Sequence, residues 1–210
     1  MVTAMVETAP AGPLLTARFQ QAFAMAAEVH ARQVRKGSQV PYLAHLMSVA
    51  ALVLEHGGDE DAAISGLLHD AVEDAEDGTV VERRIREQFG DRVARIVLAC
   101  SDAVAVPGRP KPPWRERKTA YLERLAVEDD AAVLLVSASD KLHNARSIVA
   151  DLRTEGASLW DRFNQSDPAA QVWYYQSLAA SYHGRIPSAL ADELDRVVAQ
   201  MQSLATQDCP

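Results

Sequence analysis

The stretch AAVLLVSASDKLHNARSIVADL, residues 131–152, decides the fold of this chain. Its apolar residues run without interruption over 133–136 and return near its end, which is typical of a helix enclosed on most sides by protein. Asp140, His143 and Asn144 recur at steps of three and four, so they share one polar face of that helix. A solvated face is the ordinary explanation, but the apolar flanks favour a polar site inside the protein.

Helical periodicity continues through most of the chain, and no stretch shows the alternation of a strand, so we expect an all-α fold. Gly57 and Gly58 should end the second helix, Asp59 should cap the third, and Thr79 with Glu82 forms a capping box for the fourth. The predicted helices cover about residues 15–34, 41–56, 59–70, 79–89, 91–103, 114–125, 131–152, 168–183 and 187–203.

One internal segment is predicted to be irregular. Residues 106–113 hold four prolines and a glycine, too many for a helix. Arg109 and Lys111 lie within it and stand out in an acidic chain. We interpret this segment as a candidate lid over the functional site. The following stretch, 114–125, is highly charged and is expected to form a surface helix.

Size and composition fit a globular protein. A length of 210 residues suits one domain, which we expect over residues 14–206, with a core at 15–155, C-terminal helices at 160–206 and a flexible tail at 1–13. Two cysteines, Cys100 and Cys209, provide no disulfide framework and are expected to be reduced thiols.

Charge and hydropathy exclude several partners. The net charge of −8 argues against nucleic-acid binding, because phosphate backbones are bound by clustered Lys and Arg. No apolar run approaches the length that spans a membrane, so we expect a cytoplasmic protein without a membrane partner. The oligomeric state remains open.

Candidate metal ligands come from three predicted helices. His69 and Asp70 follow an apolar helical stretch, and buried ionisable groups need partners. Alone, this pair would more often be a solvated or capped helix end, and His45 would more often be a core histidine. Together with Asp140, however, they give the mixed nitrogen and oxygen set that manganese, iron or zinc prefers. The sequence therefore predicts a single metal site formed by His45, His69, Asp70 and Asp140.

Several motifs in a fixed order carry a family resemblance. Residues 35–37 (RKG), 41–45 (PYLAH), 66–74 (GLLHDAVED), 89–90 (FG) and 139–146 (SDKLHNAR) resemble successive motifs of the hydrolase domain of Rel/Spo-type alarmone enzymes, within the HD superfamily of phosphohydrolases. The resemblance covers residues 15 to about 155. We expect no synthetase domain, so the chain resembles a small alarmone hydrolase.

The resemblance implies an HD-domain helical bundle around one Mn²⁺, with Fe²⁺, Zn²⁺, Co²⁺ or Mg²⁺ as alternatives. It also implies a nucleotide substrate, (p)ppGpp, whose 3′-pyrophosphate is hydrolysed to give GDP or GTP and pyrophosphate. Catalytic and substrate-binding roles fall on residues of the same motifs. These are Glu73 and Asp74 for catalysis, and Arg35, Lys36, Lys141 and Asn144 for substrate binding.

Each role has an ordinary alternative. Glu73 lies one helical turn beyond Asp70, close enough to orient or deprotonate the attacking water, but the acids at 73–77 could also form a solvated loop. Arg35 and Lys36 could simply complement the C-terminal end of the first helix. Lys141 could extend its ammonium group to solvent.

Departures from the family pattern leave the substrate open. Leu46 replaces a usual proline and Ala75 a usual threonine, while Ala71 and Ser147 are milder changes. Another phosphate ester, such as an adenosine alarmone or a nucleotide monophosphate, is therefore a second hypothesis. A non-catalytic nucleotide-binding module is a third.

An aromatic stripe occurs near the C-terminus at residues 173–175 (WYY). Such a stripe is more often core than nucleotide platform, so Trp173, Tyr174 and Tyr175 are interpreted as packing. Tyr175 and Tyr182 are the two tyrosines that could reach a pocket.

Overall fold

The computed structural model describes residues 14–207, so the predicted tail (1–13) and Cys209 lie outside the described residues. Within that range the chain is helical, and its one β-type pairing is an isolated bridge between Val34 and Pro41. The all-α expectation is confirmed. The elements are α1 (Ala17–Val29), α2 (Leu43–Glu55), α3 (Glu60–Leu68), α4 (Ala71–Asp74), α5 (Gly78–Phe89), α6 (Asp91–Cys100), α7 (Trp114–Val127), α8 (Ala131–Glu155), a 3₁₀ helix (Gly156–Arg162), α9 (Pro168–Tyr182) and α10 (Ser188–Gln207).

The first helix ends earlier than the sequence predicts. It stops at Val29 instead of residue 34, and the chain then folds back on itself through hydrogen bonds from Arg35 N to Val40 O and from Tyr42 N to Gln33 O, both 2.9 Å long. These bonds delay the start of α2 to Leu43, two residues beyond the predicted one. Residues 30–42 therefore form a turn structure rather than helix.

Helix ends confirm some predicted signals and correct one. Asp59 caps α3, accepting a 2.9 Å hydrogen bond from Ala62 N, and Gly57 has a φ of +85° just past α2. The predicted capping box was wrong. Asp77 caps α5 instead, and its carboxylate accepts from both the amide and the hydroxyl of Thr79.

The central helix runs through the interior, as the sequence predicts. Helix α8 extends three residues beyond the predicted end and packs against α2, α3, α6, α9 and α10. Its residues from Val133 to Asp140 are all buried. Helix α6 ends at Cys100 rather than residue 103, and residues 101–113 form no helix. Helices α9 and α10 lie within a few residues of their predicted bounds.

Two hydrophobic clusters make up the core. One gathers α8, α9 and α10, and the other lies among α1, α3, α5 and α6, while α2, α3 and α6 contribute residues to both. Gly66 lets α3 approach α2 closely, because a Cβ on Gly66 would lie 3.2 Å from Ala50 Cα. This approach brings the C-terminal end of α3 beside the first turn of α2.

Among the described residues, no helix combines the length and the apolarity that a membrane-spanning segment requires.

Candidate active site

His69 lies just past the C-terminal end of α3, with its side chain 1% exposed. Its Nδ1 lies 2.9 Å from the carbonyl oxygen of Gly66, so Nδ1 carries the proton and donates it. Its Nε2 faces Asp70 Oδ2 at 3.0 Å and Asp140 Oδ1 at 3.5 Å. Within residues 14–207 this Nε2 has no hydrogen-bond partner of acceptable geometry.

His45 lies in the first turn of α2 and is equally enclosed. Its Nδ1 lies 2.8 Å from Nδ1 of His143. Its Nε2 lies 3.2 Å from Asp140 Oδ1 and 3.7 Å from Asp70 Oδ2, again without a hydrogen-bond partner in the described part of the chain. Burial, then the neighbouring His45 and Arg35, lower the pKa of His143 to about 4. A neutral His143 can accept the Nδ1 proton of His45 and leave Nε2 of His45 unprotonated.

The four side chains have the donor set of a divalent cation site. Ligand atoms of His45, His69 and Asp70 all lie within 4.8 Å of one another, and Asp140 joins them through its contacts with both imidazoles. Atoms bonded to one cation at roughly 2.1 Å lie about 3 to 3.5 Å apart. Two imidazole lone pairs facing two carboxylates repel unless a proton or a cation lies between them. The arrangement therefore fits a metal ion.

Neighbouring groups hold the two carboxylates in position. The Tyr42 hydroxyl donates to Asp70 Oδ2 at 2.5 Å, Asn144 Nδ2 donates to Asp140 Oδ1 at 2.5 Å, and Lys141 Nζ donates to Asp140 Oδ2 at 2.5 Å. Burial opposes ionisation of Asp140, but Lys141 and His69 keep its pKa well below its usual range. Asp140 is therefore a carboxylate at neutral pH.

The two predicted catalytic acids lie on α4, one turn after His69. Glu73 Oε1 pairs with Lys111 Nζ at 3.0 Å, and its Oε2 accepts from Asp102 N at 3.4 Å. Burial, then the negative charges of Asp102 and Asp70, raise the pKa of Glu73, which suits a group that exchanges protons. Asp74 is exposed and accepts from Gln33 Nε2 at 2.7 Å. Glu73 and Asp74 belong to a helical turn, whereas Glu76 and Asp77 lie in the connection to α5.

The predicted substrate-binding cations differ in how firmly they are held. Arg35 Nη2 donates to Asn144 Oδ1 at 2.9 Å, and the last turn of α1 (Ala17–Val29) holds no basic residue, so Arg35 does not complement that helix end. Lys36 is exposed, with its Nζ 5.9 Å from the centre of the Phe163 ring. Lys141 is 12% exposed and pairs with Asp140, so the alternative in which its ammonium group extends to solvent is excluded.

These residues surround one cleft of about 710 Å³. Nine of the ten predicted site residues line it, and His69 lies behind its wall. The predicted irregular segment reaches the cleft through Lys111, and its role as a lid stays a prediction. Tyr175 lines the cleft, and so does Tyr174, which the sequence had assigned to packing alone. Tyr182 does not line it, because Tyr182 is fully buried and lies 2.5 Å from the Ser137 hydroxyl.

Several lining residues were given no role in the sequence analysis. Tyr42 and His143 support ligands, and a local signal existed for His143 because it shares the face of Asp140. Arg117 and Lys118 line the cleft although α7 was predicted to be a surface helix. Nothing in the charge pattern of α7 distinguishes these two cations from the exposed ones beside them.

The departures from the family pattern lie mostly outside the cleft. Leu46 is fully buried in the core around α1, α3, α5 and α6, and neither Leu46, Ala71 nor Ala75 lines the cleft. Ser147 does line it. Thus three of the four altered positions would not contact a substrate bound in the cleft.

Comparison with known proteins agrees with this geometry. The chain is similar to the Aquifex aeolicus guanosine-3′,5′-bis(diphosphate) 3′-pyrophosphohydrolase, with 35% identity over 129 residues, 61% of this chain and 17% of the relative. It is also similar to a GTP pyrophosphokinase of Myxococcus xanthus, with 30% identity over 131 residues, 61% of this chain and 17% of the relative. The chain therefore spans less than a fifth of the length of these relatives.

Solved structures match over more of their length. A structure of a metazoan ortholog of SpoT, described as hydrolysing ppGpp, aligns with a TM-score of 0.69 at 24% identity, covering 92% of this chain and 97% of that one. A crystal structure of a Listeria monocytogenes protein aligns with a TM-score of 0.62 at 30% identity, covering 76% of this chain and 99% of the other. The sequence model described as HD domain matches residues 22–166, more than half of the chain. This chain belongs to the HD domain family.

Proposed function

We propose that this chain hydrolyses the 3′-pyrophosphate of guanosine tetra- and pentaphosphate, yielding GDP or GTP and pyrophosphate. One observation carries the proposal: the unpartnered Nε2 atoms of His45 and His69 face Asp70 and Asp140 at the wall of a cleft that also contains Glu73. The names of the similar bacterial and metazoan proteins support this choice of substrate.

An HD domain implies a divalent metal, and we propose Mn²⁺, held by His45, His69, Asp70 and Asp140. Fe²⁺, Zn²⁺, Co²⁺ and Mg²⁺ are the alternatives, since the same ligand set accepts them. When bound, such a cation polarises a phosphate oxygen and lowers the pKa of a nearby water.

Glu73 is proposed as the general base. The raised pKa of Glu73 makes it a stronger base than an ordinary carboxylate, so it can take a proton from the attacking water. The water oxygen bonds to the phosphorus that carries the 3′ oxygen, and the bond from that phosphorus to the 3′ oxygen breaks. The proton that Glu73 took from the water is passed on through solvent to the departing 3′ oxygen, which becomes the 3′ hydroxyl. Asp74, next along α4, would orient the water, with Gln33 fixing its carboxylate.

The substrate is held by cations on the same cleft. Arg35 and Lys36 lie in the turn between α1 and α2, and we assign them to phosphate and base contacts at that end. Asn144 connects Arg35 to Asp140 through two hydrogen bonds of 2.9 and 2.5 Å. Substrate binding at Arg35 is thereby linked to the position of Asp140.

Incubation of manganese-loaded protein with guanosine tetraphosphate tests the proposal, with released pyrophosphate as the readout. We expect Asp70→Ala to lose its metal and to reduce turnover by more than about a hundredfold. Asp91→Ala is the matched control, because Asp91 is an exposed acid paired with Arg86 on the surface. Undiminished turnover in Asp70→Ala would rule out the proposed metal site.

A substrate panel separates this function from the two alternatives. If the adenosine counterpart or a nucleotide monophosphate is hydrolysed faster than guanosine tetraphosphate, the assigned substrate is wrong. Tight binding of guanosine tetraphosphate without any turnover would instead identify a nucleotide-binding module.

A further inference from the structure

Helix α7 contributes two cations to the cleft beside His45, His69, Asp70 and Asp140, which we call the His–Asp cluster. The side chains of Arg117 and Lys118 are 14% and 18% exposed, and both line the cleft. Arg117 Nη1 lies 2.5 Å and Lys118 Nζ 2.6 Å from the carboxylate oxygens of Asp102. Asp102 is the most deeply buried of the three, with 4% exposure. One buried carboxylate therefore holds two cations in position.

A third cation reaches the same place from the irregular segment after α6. Lys111 Nζ lies 3.0 Å from Glu73 Oε1, and Arg117 Nη1 lies 3.8 Å from the same oxygen. Glu73 and Asp102 are thus the two carboxylates that pair with these three cations. The group carries an excess of positive charge although the chain as a whole is acidic, and all three cations line the cleft.

Tyr174 supplies an independent observation. It is 4% exposed and lines the cleft, and its hydroxyl has no hydrogen-bond partner among residues 14–207. The Lys118 ammonium group lies 5.0 Å from the centre of the Tyr174 ring. Leaving a buried hydroxyl without a partner costs free energy, so a polar ligand atom is expected beside it.

Like charges also face one another here. Burial, then the nearby Lys141, lower the pKa of Lys118. An anion between these groups would relieve both the desolvation of Lys118 and its repulsion from Lys141. Because Lys141 bonds to Asp140, that anion would lie next to the proposed metal ligands.

We propose that Lys111, Arg117, Lys118 and the Tyr174 hydroxyl form a subsite for the distal phosphate of a diphosphate group whose other phosphate lies at the His–Asp cluster. This inference rests on the proposed function and deepens it, since the subsite would make the enzyme select a diphosphate over a monophosphate at the position that is cut. The released pyrophosphate would occupy the same subsite.

Binding of inorganic pyrophosphate to manganese-loaded protein tests the subsite by isothermal titration calorimetry. We expect Lys118→Gln to weaken pyrophosphate binding about tenfold, because one charge-assisted hydrogen bond is lost. Lys118→Arg, which keeps the charge, should recover most of the affinity. Arg115→Gln is the matched control, since Arg115 is an exposed cation on the same helix that stacks on Trp173. Metal content is measured after each titration, because pyrophosphate also chelates manganese.

Inorganic phosphate and GDP are titrated in parallel to identify which phosphates the subsite holds. The expected result is that Lys118→Gln leaves the affinity for GDP unchanged. Equal losses for GDP and pyrophosphate would overturn the assignment, because the cations would then serve the nucleotide product. A pyrophosphate affinity equal to that of the unsubstituted protein, or an equal loss in Arg115→Gln, would also overturn it.

Circular dichroism establishes whether Lys118→Gln folds. If it does not, Lys111→Gln replaces it, because the Lys111 side chain is 39% exposed and belongs to no helix. The expected loss is then smaller, about threefold, since an exposed ion pair contributes less, and an unchanged affinity would overturn the proposal. Failure of the proposed function is distinguishable, because pyrophosphate binding would depend on Lys118 even if guanosine tetraphosphate were not hydrolysed.

Discussion

At the scale of single residues, the orientation of His45 depends on His143. The two Nδ1 atoms lie 2.8 Å apart, and only one of them can carry the shared proton. When that proton is on His45, the Nε2 lone pair of His45 points toward the carboxylates. His143 thus fixes the tautomer that a metal ligand requires.

Replacement of His143 by phenylalanine should therefore weaken metal binding. We expect His143→Phe to lower the affinity for manganese about 10- to 100-fold while the protein stays folded. His143→Gln should be less affected, because its amide oxygen can still accept the His45 proton. Competition with a metal-binding dye measures the affinities directly.

Ser147→Ala is the control for this substitution. Ser147 lies one turn further along α8 and lines the cleft, and its hydroxyl donates only to the backbone carbonyl of His143, at 3.1 Å. Manganese affinity in His143→Phe equal to that of Ser147→Ala would show that His143 does not position the ligand.

At the scale of elements, Gly78 connects three segments of the chain. Its amide donates to Ala105 O at 2.8 Å, and Ala105 N donates to Val72 O at 2.9 Å. A Cβ on Gly78 would lie 2.1 Å from Val72 O and 2.9 Å from Ala105 N, both backbone atoms that cannot rotate away. The contact joins α4, which carries Glu73, to the start of α5 and to the segment that carries Lys111.

Gly78→Ala should break this junction. We expect a loss of roughly 2–3 kcal/mol in the free energy of unfolding, because the added methyl group overpacks the site and disrupts a backbone hydrogen bond. Gly108→Ala is the comparison, since a Cβ there meets nothing within 4 Å and only the φ of +72° opposes it. Urea denaturation compares the two, and equal losses would show that the close contact at Gly78 is not what matters.

The sequence predicted the end of a helix where neighbouring residues determine that end, and it failed where contacts across a turn determine it. Asp59 was sufficient to predict the start of α3, and the long apolar run was sufficient to predict that α8 is buried, because capping and burial are encoded in neighbouring residues. The end of α1 was not predictable in this way, since it depends on hydrogen bonds between residues 33–35 and 40–42 across a turn. The capping box failed because Asp77 offers a carboxylate one position before the helix begins.

The candidate site was predictable to a similar extent. His45, His69, Asp70 and Asp140 could be selected from their residue types on apolar helices, and the structure brings them within contact of one another. The cations of α7 could not be selected, because a charged helix shows no sign of which side chain turns inward. That information arises only when α7 packs against α9.

At the scale of the whole molecule, the charge distribution is uneven. The chain carries a net charge of −8, yet cations gather around one cleft. Seven carboxylates line the same cleft, so its formal charge is balanced, and an anionic ligand meets less repulsion there than over the rest of an acidic chain. The cleft cations are Arg35, Lys36, Lys111, Arg117, Lys118, Lys141 and Arg162.

The proposed metal ligands also connect the two hydrophobic clusters, because Asp140 projects from the cluster around α8 and His69 follows the α3 residues of the other. A cation bound by all four ligands stabilises only the folded chain. At a concentration about a hundredfold above its Kd, it would contribute about 2.7 kcal/mol. For a chain of this size we expect removal by a chelator to lower the Tm by roughly 5–10 °C. Differential scanning calorimetry measures the shift, and Asp70→Asn should show almost none. An equal shift in that variant would mean that the stabilising cation binds elsewhere.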